Sequence, residues 1–137
     1  MRYYAAYGSN MNLQQMKFRC PTARVVGTGY IRGRELVFSG VATIVPKRGG
    51  SVPVVLWAIQ PRDESALDRY EGYPYLYRKE RINVWKSGKK VDAMIYVMNN
   101  WSPSPPSRHY YDCIRQGYKD NGISTEPLEA ALRRSMR

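Results

Sequence analysis

The chain has 137 residues and a formal charge of +11, with 22 Lys and Arg against 11 Asp and Glu. That length holds one domain with a real core, and 43% apolar with 24% charged residues excludes a disordered chain. No stretch of about 18 apolar residues occurs and Met1-Arg2-Tyr3 opens no signal-peptide run, so the reading is a cytoplasmic protein without a membrane partner.

A strand is expected over residues 2–7, ending at Gly8. Asn12 with Gln15 three residues on is a relative of the capping box and starts a short helix. Leu13, Met16 and Phe18 give that helix its apolar side, and Pro21 stops it near Arg19. Residues 24–46 read as β in three runs, with Gly33 a turn or bulge, and Gly49-Gly50 reads as a turn. Val52 to Ile59 is the best central strand, with Pro53 at its entry or on an edge. Pro61 suits a first helical position, Asp63 and Glu64 complement the positive end of the dipole, and Gly72 and Pro74 end this helix. A hairpin follows, Tyr77 to Trp85 and Val91 to Met98, joined by a loop around Gly88. After the Pro-rich connection 102–107, a helix runs from about Ser107 to Asp120, with Tyr110, Cys113, Ile114, Gly117 and Tyr118 on one face. Pro127 opens a last helix whose buried stripe is Leu128, Ala131, Leu132 and Met136.

Few residues offer chemistry. Two distant cysteines, Cys20 and Cys113, make no disulfide framework. A lone histidine, His109, supports neither a metal site nor a nucleophilic triad. The cations are scattered, so the charge reads as a solvated basic surface, with a nucleic-acid partner as the lesser alternative. The informative stretch is Tyr7-Gly8-Ser9-Asn10, where a strand passes through a small-residue turn into a helix. Successive N–H groups in such a turn can bind a carboxylate or phosphate. Tyr7 either shapes this turn or simply ends the strand. The second stretch is Leu67-Asp68-Arg69-Tyr70-Glu71-Gly72-Tyr73. Its Glu71 falls where the helix dipole disfavours a carboxylate, which argues for tertiary context or function there. Asp68, three residues earlier, shares its helix face.

Taken in order, Tyr7-Gly8-Ser9-Asn10, Leu67 to Tyr73, and Tyr110-x3-Ile114-x2-Gly117-x4-Gly122 resemble the gamma-glutamylcyclotransferase family, as do Gln15-Met16 and Arg19-Cys20-Pro21. The resemblance spans Tyr3 to about Leu132. It implies an α+β fold, a small mixed β-barrel flanked by helices, over a single domain, 1–137. It implies an enzyme without metal or organic cofactor, acting on a small γ-glutamyl molecule and releasing 5-oxoproline and an amine or amino acid. Glu71 would be its acid/base, and Tyr7, Gly8, Ser9, Asn10 and Tyr110 its substrate-binding residues. Tyr110 reads equally as a core tyrosine, and Tyr77 as cleft or core. Leaving-group specificity is assigned to residues 46–51, 73–78 and 99–107. A non-catalytic binding protein on the same scaffold is the alternative. The motifs fix neither the leaving group nor the oligomeric state.

Overall fold

The computed structural model describes residues 2–137. Five strands close into a mixed barrel in the order β1-β3-β2-β4-β5. They are β1 (Arg2–Ala6), β2 (Arg24–Ser39), β3 (Val41–Ile59), β4 (Tyr77–Lys86) and β5 (Lys89–Met98). Four helices lie around it: α1 (Leu13–Arg19), α2 (Pro61–Glu71), α3 (Arg108–Asp120) and α4 (Glu126–Ser135). A 3-10 turn, Ser9–Met11, follows β1. No helix among the described residues is long and apolar enough to cross a membrane.

The barrel is built on one long hairpin. β2 and β3 pair from Arg24–Ala58 to Ser39–Val41 and reverse at Gly40. At Gly33 the bulge, one of its two readings, is what forms, and the turn expected at Gly49-Gly50 does not. Pairing passes from Arg32–Ser51 to Arg34–Pro46, so Gly33 faces residues 47–50 in a bulge within two continuous strands. Such a bulge bends a strand without ending it, as barrel closure requires. Pro53 sits where β3 has run past the end of β1, whose last paired residue, Ala6, faces Val55. β4 and β5 reach to a two-residue turn, Ser87-Gly88, tighter than the expected loop, and both turn residues have positive φ. Closure rests on the parallel pair Tyr4–Met94 and the antiparallel pair Tyr30–Trp85.

The caps are those of the sequence. Asn12 accepts from the Gln15 amide at 3.0 Å, and Ser107 from that of Tyr110 at 3.2 Å. Two apolar assignments are corrected. Phe18 is 89% exposed, because α1 turns Met16 to the core and a residue two further on faces the other way. Met136 is 68% exposed, because α4 ends at Ser135, which completes the stripe of Leu128 and Ala131.

Candidate active site

A cavity of about 240 Å³ opens beside the end of β1, and its lining brings together Tyr7, Gly8, Ser9, Asn10, Glu71 and Tyr110. Five further residues complete much of the wall: Tyr4, Tyr70, Leu76, Tyr77 and Tyr96. Glu71 is its only charged side chain.

The turn is held from below. Gly8 has φ −122°, not a left-handed value, and a Cβ there would stand 3.4 Å from both the Ala42 methyl and the Tyr110 hydroxyl, at the edge of ordinary contact, so the space around it does not demand glycine. The Ser9 and Asn10 amides head the 3-10 turn, and among the described residues neither finds an acceptor. Asn10 is buried, and both polar atoms of its side chain are bonded. Its Nδ2 donates to the Tyr4 hydroxyl at 3.1 Å and its Oδ1 accepts from Arg19, while its carbonyl accepts the Trp57 indole N–H at 3.0 Å. Helix α3 backs the turn. A Cβ on Gly117 would lie 2.6 Å from the Asn12 nitrogen and 2.7 Å from the Met11 carbonyl carbon, so only glycine lets the two backbones meet. Asn121 bonds the Met11 carbonyl at 2.9 Å, and Asn12 bonds that of Cys113 at 3.0 Å.

Helix α2 carries Glu71 to the cavity wall. Gln60 and Asp63 form a capping box, Pro61 occupies the first turn, and Leu67 is fully buried. Asp68 accepts from the Tyr96 hydroxyl at 2.6 Å and pairs with Lys79 at 2.9 Å, which ties α2 to β5 and β4. Asp68 is thus committed away from Glu71. Gly72, at φ 64°, ends the helix in a left-handed residue, and the Tyr73 amide reaches back to the Asp68 carbonyl at 3.0 Å.

Burial pushes the Glu71 carboxyl up from 4.5 to about 7, with Arg19 opposing. Among the described residues no donor bonds it. The tyrosines around it are held neutral, chiefly by burial. Their protons differ in use. Tyr7 donates to the Tyr96 carbonyl and Tyr77 to that of Ala42, at 2.6 Å in the second case. The Tyr110 oxygen accepts the Ala42 N–H at 3.0 Å and the Tyr4 oxygen accepts from Asn10, so both keep a proton to donate into the cavity.

The segments assigned to specificity divide. Leu76 and Tyr77 line the cavity, whereas 46–51 lies in β3 and 99–107 contributes no lining residue. Sequence reasoning gave Tyr4 and Tyr96 no place in the site, because each falls in a strand where a tyrosine reads as core. Tyr70 lies inside the second motif, directly before Glu71, and stands in the cavity wall.

A carboxyl raised to about 7, in one tyrosine-walled cavity with a turn whose amides are unbonded among the described residues, makes this the candidate site for a small molecule. The profile of the family described as "Gamma-glutamyl cyclotransferase, AIG2-like" matches residues 4–117. The gamma-glutamylcyclotransferase of Bos taurus is 31% identical over 140 residues, covering 92% of this chain and 73% of the bovine one. That of Mus musculus is 29% identical over 141 residues, covering 92% and 74%. A solved structure named "Gamma-glutamyl cyclotransferase" superposes with a TM-score of 0.87 at 28% identity, covering 95% of this chain and 85% of that one. The chain belongs to the gamma-glutamyl cyclotransferase, AIG2-like family and is a gamma-glutamylcyclotransferase-like enzyme. Neither the binding-protein nor the nucleic-acid reading gains support from these likenesses.

Proposed function

We propose that the enzyme cyclises a γ-glutamyl compound to 5-oxoproline, with Glu71 moving the protons. The observation that carries this is a single carboxyl, raised to about 7, lining the same cavity as Ser9 and Asn10, whose amides find no acceptor among the described residues. The substrate's own α-amine is the nucleophile, so the protein supplies geometry and proton transfer. Glu71, as carboxylate, takes a proton from the α-ammonium. The freed nitrogen attacks the γ-carbonyl carbon and closes a five-membered ring. The tetrahedral oxyanion then collapses, the bond to the leaving nitrogen breaks as the protonated Glu71 returns its proton to that nitrogen, and the second proton of the ring nitrogen passes through the freed carboxylate to the departing amine, which leaves a neutral ring amide and an ammonium.

The turn amides fit both the α-carboxylate and the oxyanion, each an acceptor of two N–H bonds. The unspent Tyr110 proton is a further donor to the substrate. Tyr7 and Asn10 shape the wall, their side chains being bonded to protein. A carboxyl near 7 is matched to this work, since it is strong enough to hold the proton and weak enough to return it.

The test is 5-oxoproline release from γ-glutamyl dipeptides and γ-glutamyl amines by wild type and Glu71→Gln. The wild-type kcat/KM rises with pH through about 7 as Glu71 ionises, and the folded variant loses about a thousandfold in rate. Equal rates in the two proteins would remove Glu71 from the mechanism. Ligand binding without release would favour a binding protein.

A further inference from the structure

We infer that Arg19 is a positioning residue: its one guanidinium joins the substrate-gripping turn to the tyrosine beside Glu71, and so sets how the two sides of the cavity stand to each other. The inference rests on the reaction proposed above. Arg19 is the last residue of α1, half-buried, and outside the cavity lining. One guanidinium nitrogen donates to the Asn10 side chain and the other to Gln15 Oε1, at 2.9 Å in the second case. Its carbon lies 3.4 Å from the centre of the Tyr70 ring. The Tyr70 hydroxyl in turn shares a hydrogen bond with Ser9 Oγ at 2.8 Å. A closed circuit results, running Asn10, Arg19, Tyr70, Ser9, and it spans the first motif and the residue before Glu71.

This circuit needs arginine. A planar fork can donate sideways to two amide oxygens while its face stacks on a ring. Lysine can keep the charge and lose the fork. Arg19 forms no ion pair with a carboxylate within 4 Å among the described residues, so its charge is not neutralised by a direct partner. It acts instead on the groups around it, favouring the ionised form of Glu71. The other titratable groups facing Glu71 are Tyr4, Tyr7, Tyr77 and Tyr110, from the β1 end, β4 and α3, all held neutral. Arg19 is therefore the cation that opposes burial at the acid/base.

The experiment compares wild type, Arg19→Met and Arg19→Lys, each first shown folded by its thermal transition. Two readouts are taken. The Glu71 carboxyl is titrated by NMR of side-chain ¹³C-labelled glutamate, with Glu71→Gln assigning its signal, and this needs no turnover. The pH dependence of kcat/KM is measured on a γ-glutamyl dipeptide and a γ-glutamyl amine. In Arg19→Met the Glu71 titration and the acid limb move upward together, by about half a pH unit to one, and KM rises about tenfold. Arg19→Lys returns the titration toward wild type but not KM, since the fork is still missing. An unmoved Glu71 titration with an unchanged KM in Arg19→Met would overturn the inference, as would full rescue of KM by lysine. If Glu71→Gln keeps full turnover while Arg19→Met still shifts the Glu71 titration, the proposed reaction fails and the electrostatic link stands.

Discussion

A carboxyl at the C-terminal end of a helix, half-buried in the wall of a cavity that six tyrosines line, is in a poor place to be charged, and that is its use. In the unfolded chain Glu71 titrates near its ordinary 4.5, and in the fold near 7. Between those values the native state holds a proton that the unfolded chain has released. Raising the pH through this window therefore removes stability, and above about 7 the loss is complete. Glu71→Gln carries no charge at any pH. It should be more stable than wild type above pH 7, by up to about 3 kcal/mol, with the difference vanishing below about pH 4.5. Urea midpoints of the two proteins across that range check the sign, and a variant less stable than wild type at pH 8 would refute it. The tyrosines separate in the same way. Tyr110→Phe removes a donor whose proton is unspent, so kcat/KM drops about tenfold, and the Ala42 N–H loses its acceptor. Tyr7→Phe orphans the Tyr96 carbonyl and costs stability, about 1–3 kcal/mol, with kcat nearly unchanged. Kinetics and melting of both variants test the contrast. Glu71 was given a role in the sequence by the family resemblance, with a carboxylate set against the helix dipole where Gly72 stops the helix as the local sign. Arg19 was not, because a cation in the last turn of a helix is what the dipole favours anyway, and nothing local shows that its partners lie in the turn before it and in α2.

At the scale of elements, the helix ends were readable and their partners were not. Asn12, Pro61, Gly72 and Ser107 announce α1, α2 and α3 by chemistry confined to a few residues, and the structure places caps at or beside each of them. Gly117 is different. Its place on the inner face of α3 follows from periodicity, but the reason it must be glycine lies in the Met11–Asn12 backbone, a hundred residues away in sequence. Two effects compete in Gly117→Ala. Alanine favours a helix over glycine by about 1 kcal/mol. Against that, the new methyl would meet backbone at 2.6 and 2.7 Å, where no flexible side chain can yield. Overpacking of this kind costs about 1–3 kcal/mol, so the clash wins and the variant is less stable. Because the displaced atoms belong to the turn under Ser9 and Asn10, KM should rise by more than kcat falls. A denaturant midpoint at or above wild type would show that α3 can move away from the turn freely.

For the whole molecule, composition and the run of apolar segments made a mixed α+β fold readable, and the family resemblance added the barrel. The sheet order was not readable, because closure depends on two single bridges, Tyr4–Met94 and Tyr30–Trp85, between strands with no local signal for each other. The length of the β2–β3 hairpin was hidden for a related reason: glycines that bend a strand and glycines that end one look alike in sequence. The charge of +11 belongs to this scale as well. Ion pairs engage Arg2, Arg34, Arg78, Lys79, Arg81, Arg108 and Arg134, which leaves most of the 22 cations without a carboxylate within 4 Å among the described residues. Some are crowded: Arg32 stacks 4.0 Å and Lys90 lies 5.5 Å from the same Trp85 ring. The compact state gathers these charges and the unfolded chain disperses them, so self-repulsion is a cost of folding. Salt should relieve it, since the Debye length falls from about 30 Å at 0.01 M to about 8 Å at 0.15 M. Sodium chloride added over that range is predicted to raise the melting temperature by about 2–5 °C. A molecule held together mainly by its surface ion pairs would respond with the opposite sign, because screening weakens attraction as well as repulsion. Chloride rather than sulfate keeps the reading clean, as sulfate also strengthens apolar burial by exclusion from the surface.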